Sequence, residues 1–370
     1  MNEIKIPGLV DMHVHFREPG FSYKETIKTG SMAAAAGGFT TVCTMPNVNP
    51  APDNLDNLKI QQELIKRDSQ IRIIPFASIT KGRQGNFLIN YEELAPYVAG
   101  FSDDGSGVQD ESVMRSAMTE IAKTGKILAA HCEVNSLLRG GYVHDSEILR
   151  NKGHKGICSE SEWKEIERDI RLAEETGCRL HICHISTKEG VELVANAKKK
   201  GLKVTAETAP HYLVFCDEDM EDSGRFKMNP PLRTREDLEA LRQGVVNGII
   251  DVIATDHAPH SAHEKNQGLK NSAMGVVGLE TAFAAVYTAM VKTDMMTLDK
   301  LIDLMSNNPR EILGLEKNEE DYVIVDIDKK FKVIPDKFHT MGRSTPFCDM
   351  ELYGEIKQTY HNGKLIFSKK

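Results

Sequence analysis

Apolar, β-branched runs alternate with amphipathic stretches along most of the chain. The runs fall at about residues 4–15, 38–45, 70–77, 97–103, 126–132, 178–184, 202–207 and 249–255. Their lengths and their Val, Ile and Thr content predict buried strands. Between them, Thr26 to Ala36, Leu55 to Arg67, Ser112 to Lys123, Ser159 to Thr176, Lys188 to Lys200 and Arg235 to Asn247 carry apolar residues at helical spacing. The connection over 90–97 has the weakest helical pattern. Strands and helices in this alternation predict an α/β fold, a TIM-like (β/α)8 parallel barrel closed on itself. Two connections are long: 133–158, rich in Gly, His and Lys, and 257–276, polar and containing Gly268 and Gly275. Both follow strand ends, where barrels carry functional loops. The second has few apolar residues between Ser261 and Ala273, which predicts a mobile lid cut by protease at Lys265 and Lys270 in the absence of ligand.

Beyond the barrel pattern, Leu279 to Met290 and Leu298 to Met305 predict further helices, and Asn308-Pro309-Arg310 a turn or helix start. From about residue 321 the pattern changes. Tyr322 to Asp326, Gly354 to Tyr360 and Gly363 to Phe367 predict strands, with His361-Asn362-Gly363 as a hairpin turn. The expected organisation is a barrel with extra helices over 1–315 and a small β-sandwich module over 316–370.

Composition narrows the function. The 370 residues are 40% hydrophobic and 27% charged, as in a globular protein. The net charge of −8, with no basic block, argues against a nucleic-acid partner. No apolar run approaches the roughly 18 residues of a membrane span, and the N-terminal residues lack a signal-peptide pattern. The seven cysteines are odd in number and lack CxxC spacing, which predicts reduced thiols in a cytoplasmic protein. Cys43, Cys132 and Cys183 lie in apolar runs and read as core residues.

Candidate chemistry sits where the strands end. His13 and His15 are two apart, so they project together from one strand, and Arg17 continues the same alternation before Pro19-Gly20. His131 follows Ile127-Leu128-Ala129-Ala130. His184 follows Leu180-His181-Ile182-Cys183. Asp256 follows Val252-Ile253-Ala254-Thr255. Strand C-termini of such a barrel open onto one face, so these residues converge, and imidazole with carboxylate suits Zn²⁺. Gly100-Phe101-Ser102-Asp103-Asp104-Gly105 ends another strand. Its adjacent acids point to opposite sides, so one of Asp103 and Asp104 faces the metal and the other belongs to a turn. The same alternation puts His181 opposite His184, and His257 opposite Asp256, as packing or supporting residues. His260 can reach the mouth on its loop.

These motifs together carry a resemblance. DMHVHFREPG (11–20), TMPN (44–47), FSDDG (101–105), AHCE (130–133), HICHIS (181–186), NPPLR (229–233), ATDHAPH (254–260) and GVVGLET (275–281) resemble, in order, the dihydroorotases of the amidohydrolase superfamily. The branch most similar is the bacterial one with Asp in place of a carboxylated Lys. The resemblance implies metal ligands His13, His15, Asp104, His131, His184 and Asp256, with one or two Zn²⁺ per chain. It assigns the proton-transfer role to Asp256 and substrate contacts to His15, Arg17, Asn47, Asn229, His260 and the backbone of Met274-Gly275, where relatives commonly have Phe-Gly. Members usually carry an N-terminal β segment before the HxH motif. Here that motif comes almost at once, so the β module is expected to be incomplete, with a homodimer or hetero-assembly covering its edge.

The implied reaction interconverts L-dihydroorotate and N-carbamoyl-L-aspartate in pyrimidine synthesis. The alternatives are another cyclic-amide hydrolase, of hydantoinase or allantoinase type, and a non-catalytic assembly partner. The Arg17 and Asn47 motifs argue against the first, and the full ligand set against the second.

Overall fold

The computed structural model describes residues 2–369. Its first strand, β1 (Glu3–Pro7), is followed by β2 (Leu9–Val14). One strand was expected over 4–15, but the chain breaks at Gly8 and the two halves join different sheets. Gly8 is needed there because a Cβ would lie 2.4 Å from the Thr40 hydroxyl oxygen.

The remaining barrel strands and their connections follow in chain order. They are β3 (Phe39–Thr44), β4 (Arg72–Pro75), β5 (Gly100–Phe101) and β6 (Ile127–Ala130). Within the 133–158 connection, β7 (Val143–His144) and β8 (Gly156–Ile157) form a small parallel ribbon. Then come β9 (Arg179–Ile182), β10 (Val204–Thr208) and β11 (Val252–Ile253). The order β2-β3-β4 makes one parallel sheet and β11-β10-β9-β6-β5 the other. Parallel bridges Ala77–Phe101 and Val14–His257 close the two sheets into one barrel. Several strands are shorter than their apolar runs, β5 and β11 most of all, at two residues each.

Helices Ile27–Ala36, Leu55–Asp68, Glu111–Thr124, Glu160–Thr176, Lys188–Lys199 and Arg235–Val246 surround the barrel. Several are stopped or started by expected signals. Asp110 accepts from Ser112 and Val113 N–H at one helix start, and Gly125 and Gly177 end two helices in the left-handed conformation. The 90–97 connection holds one α-helical turn, Tyr91–Leu94, followed by a 3-10 turn, Ala95–Tyr97. Inside the barrel, Met12, Cys43, Phe76, Ile127, Ala129, Cys183 and Val252 form their own packed cluster, and the larger core lies between strands and helices. Met12 thus shares the interior with its neighbour His13. The β2–β3 register is irregular between Asp11 and Val14, so strict alternation fails in the HxH segment.

The end of the chain forms an antiparallel sheet of β12 (Tyr322–Lys332), β13 (Glu351–His361) and β14 (Lys364–Ser368), to which β1 adds as the other edge. The sheet therefore draws on both ends of the chain. Its β13–β14 turn has Asn362 and Gly363 both at positive φ, as a two-residue hairpin requires. The segments after the barrel pattern are helical with π-type turns at Tyr287–Val291 and Asp303–Asn307, and Asn308–Leu313 starts a helix with Pro309 in its first turn. No helix is long and apolar enough to cross a membrane among the described residues.

Candidate metal centre and substrate pocket

Four histidines and two aspartates meet at the C-terminal mouth of the barrel, all buried. His13 Nε2 lies 3.3 Å from Asp104 Oδ1 and 3.5 Å from Asp256 Oδ1. His15 Nε2 lies 3.0 Å from Asp256 Oδ1 and 3.5 Å from Asp104 Oδ2. His131 Nδ1 is 3.0 Å from His184 Nε2, and both are 3.5 Å from Asp104 Oδ1. Four ligands at zinc–nitrogen distances in a tetrahedron would be separated by about 3.3 Å. The Asp104 carboxylate reaches two sides of this cluster, with Oδ1 toward His131 and His184 and Oδ2 toward His15. Asp103 is turned away. It accepts from the Ile79 and Thr80 N–H groups and the Thr80 hydroxyl.

The donor set fits a cation on further grounds. His13 Nδ1 donates to Glu207 Oε1 at 2.6 Å, which fixes the tautomer that leaves a lone pair on Nε2. His15 Nδ1 donates to Asn47 Oδ1 at 2.7 Å, with the same consequence for its Nε2. His13 Nε2 and Asp104 Oδ1, both facing the cluster, are buried without hydrogen-bond partners, a costly arrangement if nothing else satisfies the cluster. Burial opposes the charge on Asp104, but His13, His131 and His184 outweigh it and hold the carboxylate well below its usual range. Burial likewise opposes charge on His131, yet Asp104 and Glu133 lift it to about 10. The carboxylates that hold a proton on buried His131 would equally favour a metal cation in its place. Among the described residues, the groups that could hold one ion are His13, Asp104 and His184; His13, His15 and Asp256; and His13, Cys183 and Glu207.

Three residues of this region hold left-handed backbone without being glycine: Arg17, His184 and Asp256, at φ 56°, 35° and 47°. Such conformations cost on the order of 1–3 kcal/mol each and persist where the surrounding structure enforces them. They also explain why side-chain direction departs from alternation. β2 ends at Val14, so a left-handed turn, not strand periodicity, brings Arg17 to the mouth.

A cavity of about 250 Å³ lies over the cluster, lined by His15, Arg17, Asn47, Asn229, His260 and Met274-Gly275 among others. Arg17 donates from Nε to the Pro259 carbonyl at 3.2 Å, and burial pushes its pKa down to about 10. Asn47, its oxygen committed to His15, keeps its amide N–H groups for a ligand. Asn229 Nδ2 donates to Glu133 Oε1 at 2.8 Å, leaving Oδ1 buried and unpartnered. His260 donates from Nε2 to the Met274 carbonyl at 2.8 Å, and Lys24 Nζ lies 3.2 Å from its other nitrogen. The Gly275 N–H already donates to the Lys227 carbonyl at 3.0 Å. At φ 129°, Gly275 has no room for a Cβ, which would sit 2.7 Å from the Ala258 carbonyl oxygen. Gly275→Ala is therefore expected to distort this wall and raise KM at least severalfold, on the order of 1 kcal/mol; steady-state kinetics with KM unchanged would contradict it.

His181 and His257 stay outside the cluster. His181 Nε2 meets Glu207 Oε2 at 3.1 Å, and His257 Nδ1 accepts from Gly278 N–H at 3.2 Å. The loop over 257–276 departs from expectation. It contains short helices Ala262–Lys265 and Gly268–Asn271, and Leu269, Lys265 and Ser272 are buried. Lys265 cannot serve as an exposed cleavage site; Lys270 is exposed.

Glu207 and Glu133 are the supporting residues missed in the sequence. Glu207 bridges His13 and His181, and these histidines pull its carboxyl below the usual range despite complete burial. The available signal was a carboxylate at the end of an otherwise apolar run. A separate groove of about 750 Å³ between the first helix and the terminal sheet, lined by residues such as Phe283, Phe331 and Phe338, lies away from this chemistry.

A family profile described as "Dihydro-orotase-like" matches residues 2–190. A curated relative from Fusobacterium nucleatum, named "Dihydroorotase", is 49% identical over 376 residues, covering 100% of this chain and 88% of the relative. One of the same name from Listeria innocua is 46% identical and covers 98% of this chain and 87% of the relative. Among solved structures, the L-hydantoinase (dihydropyrimidinase) of Arthrobacter aurescens superposes with TM-score 0.89 at 24% identity, over 99% of this chain and 86% of that one. The inactive dihydroorotase-like domain of the Chaetomium thermophilum CAD-like multifunctional protein gives 0.72 at 21% identity, over 99% of this chain and 95% of that domain. These last two likenesses bear on the fold alone.

Proposed function

The chain belongs to the dihydroorotase family, and from that premise we propose that it interconverts L-dihydroorotate and N-carbamoyl-L-aspartate, in pyrimidine biosynthesis, at a zinc centre. The observation that carries the reading is the convergence of His13, His15, Asp104, His131, His184 and Asp256 beneath a pocket that contains Arg17 and Asn47. These six residues would hold one or two ions, with His13, His15 and Asp256 as one set able to meet a single ion and His13, Asp104 and His184 as another. Bound zinc supplies Lewis acidity, lowering the pKa of a water to about 7 and polarising the amide carbonyl.

The chain's own residues do the rest. Asp256, ionised and beside His15, takes the proton of the attacking water. The water oxygen bonds to the ring carbonyl carbon, the ring C–N bond breaks, and Asp256 returns its proton to the departing nitrogen. Ring closure runs the same transfers backward. Arg17 grips the substrate carboxylate through two parallel N–H donors, with the Asn47 amide and His260 beside it. Asn229 presents its oxygen to a ring N–H. The Met274 carbonyl, bonded once to His260, retains a lone pair for the ring.

Arg17→Lys is expected to raise KM by roughly tenfold or more with a smaller change in kcat, because a point charge cannot reproduce a planar fork. Unchanged KM would place the carboxylate elsewhere. The test of the whole reading is metal analysis together with turnover of dihydroorotate and of a hydantoin. Zinc with turnover of dihydroorotate supports it. Hydantoin turnover alone would favour the hydantoinase reading, and neither activity the non-catalytic one. The free state of all seven cysteines fits a cytoplasmic protein. The edge strands β1 and β14, each paired on one side, favour an oligomer covering the terminal sheet, which light scattering measures.

A further inference from the structure

Two walls of the pocket come from separate parts of the chain, one ending in Asn229 and the other in Met274-Gly275. They meet at the Lys227 carbonyl, which accepts the Gly275 N–H at 3.0 Å. The same carbonyl accepts from Lys265 Nζ, also at 3.0 Å, and Lys265 Nζ donates to the Ala273 carbonyl at 2.7 Å. Lys265 is only 4% exposed. Lysine is almost never so buried without an anionic partner. Here the adjacent Glu264 carboxylate is paired with Lys24 at 2.8 Å instead, and two backbone carbonyls take the amine.

We infer that Lys265 is a positioning residue for the substrate pocket, clamping the Lys227 and Ala273 carbonyls so that the Asn229 wall and the Met274-Gly275 wall keep a fixed separation. The inference rests on the reading of those two walls as substrate contacts. A side chain needed only for packing would be apolar, because burying an amine costs free energy that hydrogen bonds must offset. Burial, with Lys227 nearby, pushes the Lys265 amine down to about 7. Charged or neutral, it retains at least two N–H donors, enough for both carbonyls. The surroundings fix its origin. Ser272 Oγ donates to the Lys265 carbonyl at 2.7 Å, the Ala273 N–H donates to the Glu264 carbonyl at 2.8 Å, and a Cβ on Gly224 would lie 2.1 Å from the Lys265 carbonyl oxygen. The short helix 262–265 is thereby anchored at the base of the clamp. Removing the amine leaves the Ala273 carbonyl without its donor at the residue next to Met274.

The experiment compares Lys265→Met, close in length and without donors, with Lys265→Gln, which keeps two donors on a shorter arm. Backbone hydrogen exchange is followed without substrate, and KM and kcat for dihydroorotate are measured beside melting temperature and metal content. For Lys265→Met, exchange should rise at residues 273–276 and KM by about tenfold, the loss expected for a buried hydrogen bond. The value of kcat should stay within about threefold and metal content unchanged. Lys265→Gln should recover part of both effects. KM and local exchange unchanged in a folded Lys265→Met protein would overturn the clamp. So would faster exchange spread evenly through the chain, or failure of both variants to fold, since either makes Lys265 a residue of general stability. If wild-type protein does not turn over dihydroorotate, the functional reading fails, while localised exchange in the variant still supports the clamp.

Discussion

Asp256→Asn is expected to abolish turnover, with a loss of roughly 10²–10⁴-fold from proton transfer alone and more from the altered ligand. The substitution is a clean probe for a backbone reason. Asp256 sits at φ 47°, and Asn is among the few residues that tolerate this region. The variant should therefore fold with the mouth intact. An Asn carries neither the charge that faces His15 Nε2 at 3.0 Å nor an acceptor basic enough for the water proton. The measurement is steady-state hydrolysis of dihydroorotate at saturating metal, with circular dichroism to verify folding. An Asp256→Asn protein turning over at near-normal rate would remove Asp256 from the mechanism.

The second large effect concerns the neighbouring acids. Asp104→Ala should lose most bound metal and, with it, activity. Its two oxygens face opposite sides of the cluster, within 3.5 Å of four histidines. Asp103→Ala should keep its metal but melt earlier. Asp103 accepts from two backbone N–H groups and a hydroxyl, and losing the acceptor of a buried donor costs about 1–3 kcal/mol. Metal content by elemental analysis and melting temperature separate the two. The reverse pattern, metal lost from the Asp103 variant and kept by the Asp104 variant, would show the register to be wrong.

The contrast between these acids marks the limit of local pattern. Alternation allowed only one of them to face the metal and did not choose. Family spacing pointed to Asp104, and the fold gives the physical account: the chain at 79–80 presents N–H groups that only Asp103 meets. Arg17 is similar. Alternation predicted its direction by assuming a continuing strand, whereas a left-handed backbone residue after Val14 carries it to the mouth. The lid over 257–276 looked unanchored because its anchors are one leucine, with a serine and a lysine that read as surface in any sequence. Lys265 is buried by contacts with segments around 224–227, distant in the chain.

The barrel was legible in the residue pattern, because eight apolar runs separated by amphipathic helices leave few other ways to bury those faces. So were the residue types at the mouth, because parallel strands must deliver their C-termini to one face. Only in the folded molecule do residues 3–7 pair with β12 and not with the barrel, since an edge strand's choice of partner is a long-range pairing. The free nitrogens of His13 and His15 are likewise set by folding, because Glu207 and Asn47, remote in sequence, fix those tautomers. The spacing of the pocket walls has the same origin. It depends on one buried amine between two carbonyls, and hydrogen bonds between distant segments leave no periodic trace in the chain.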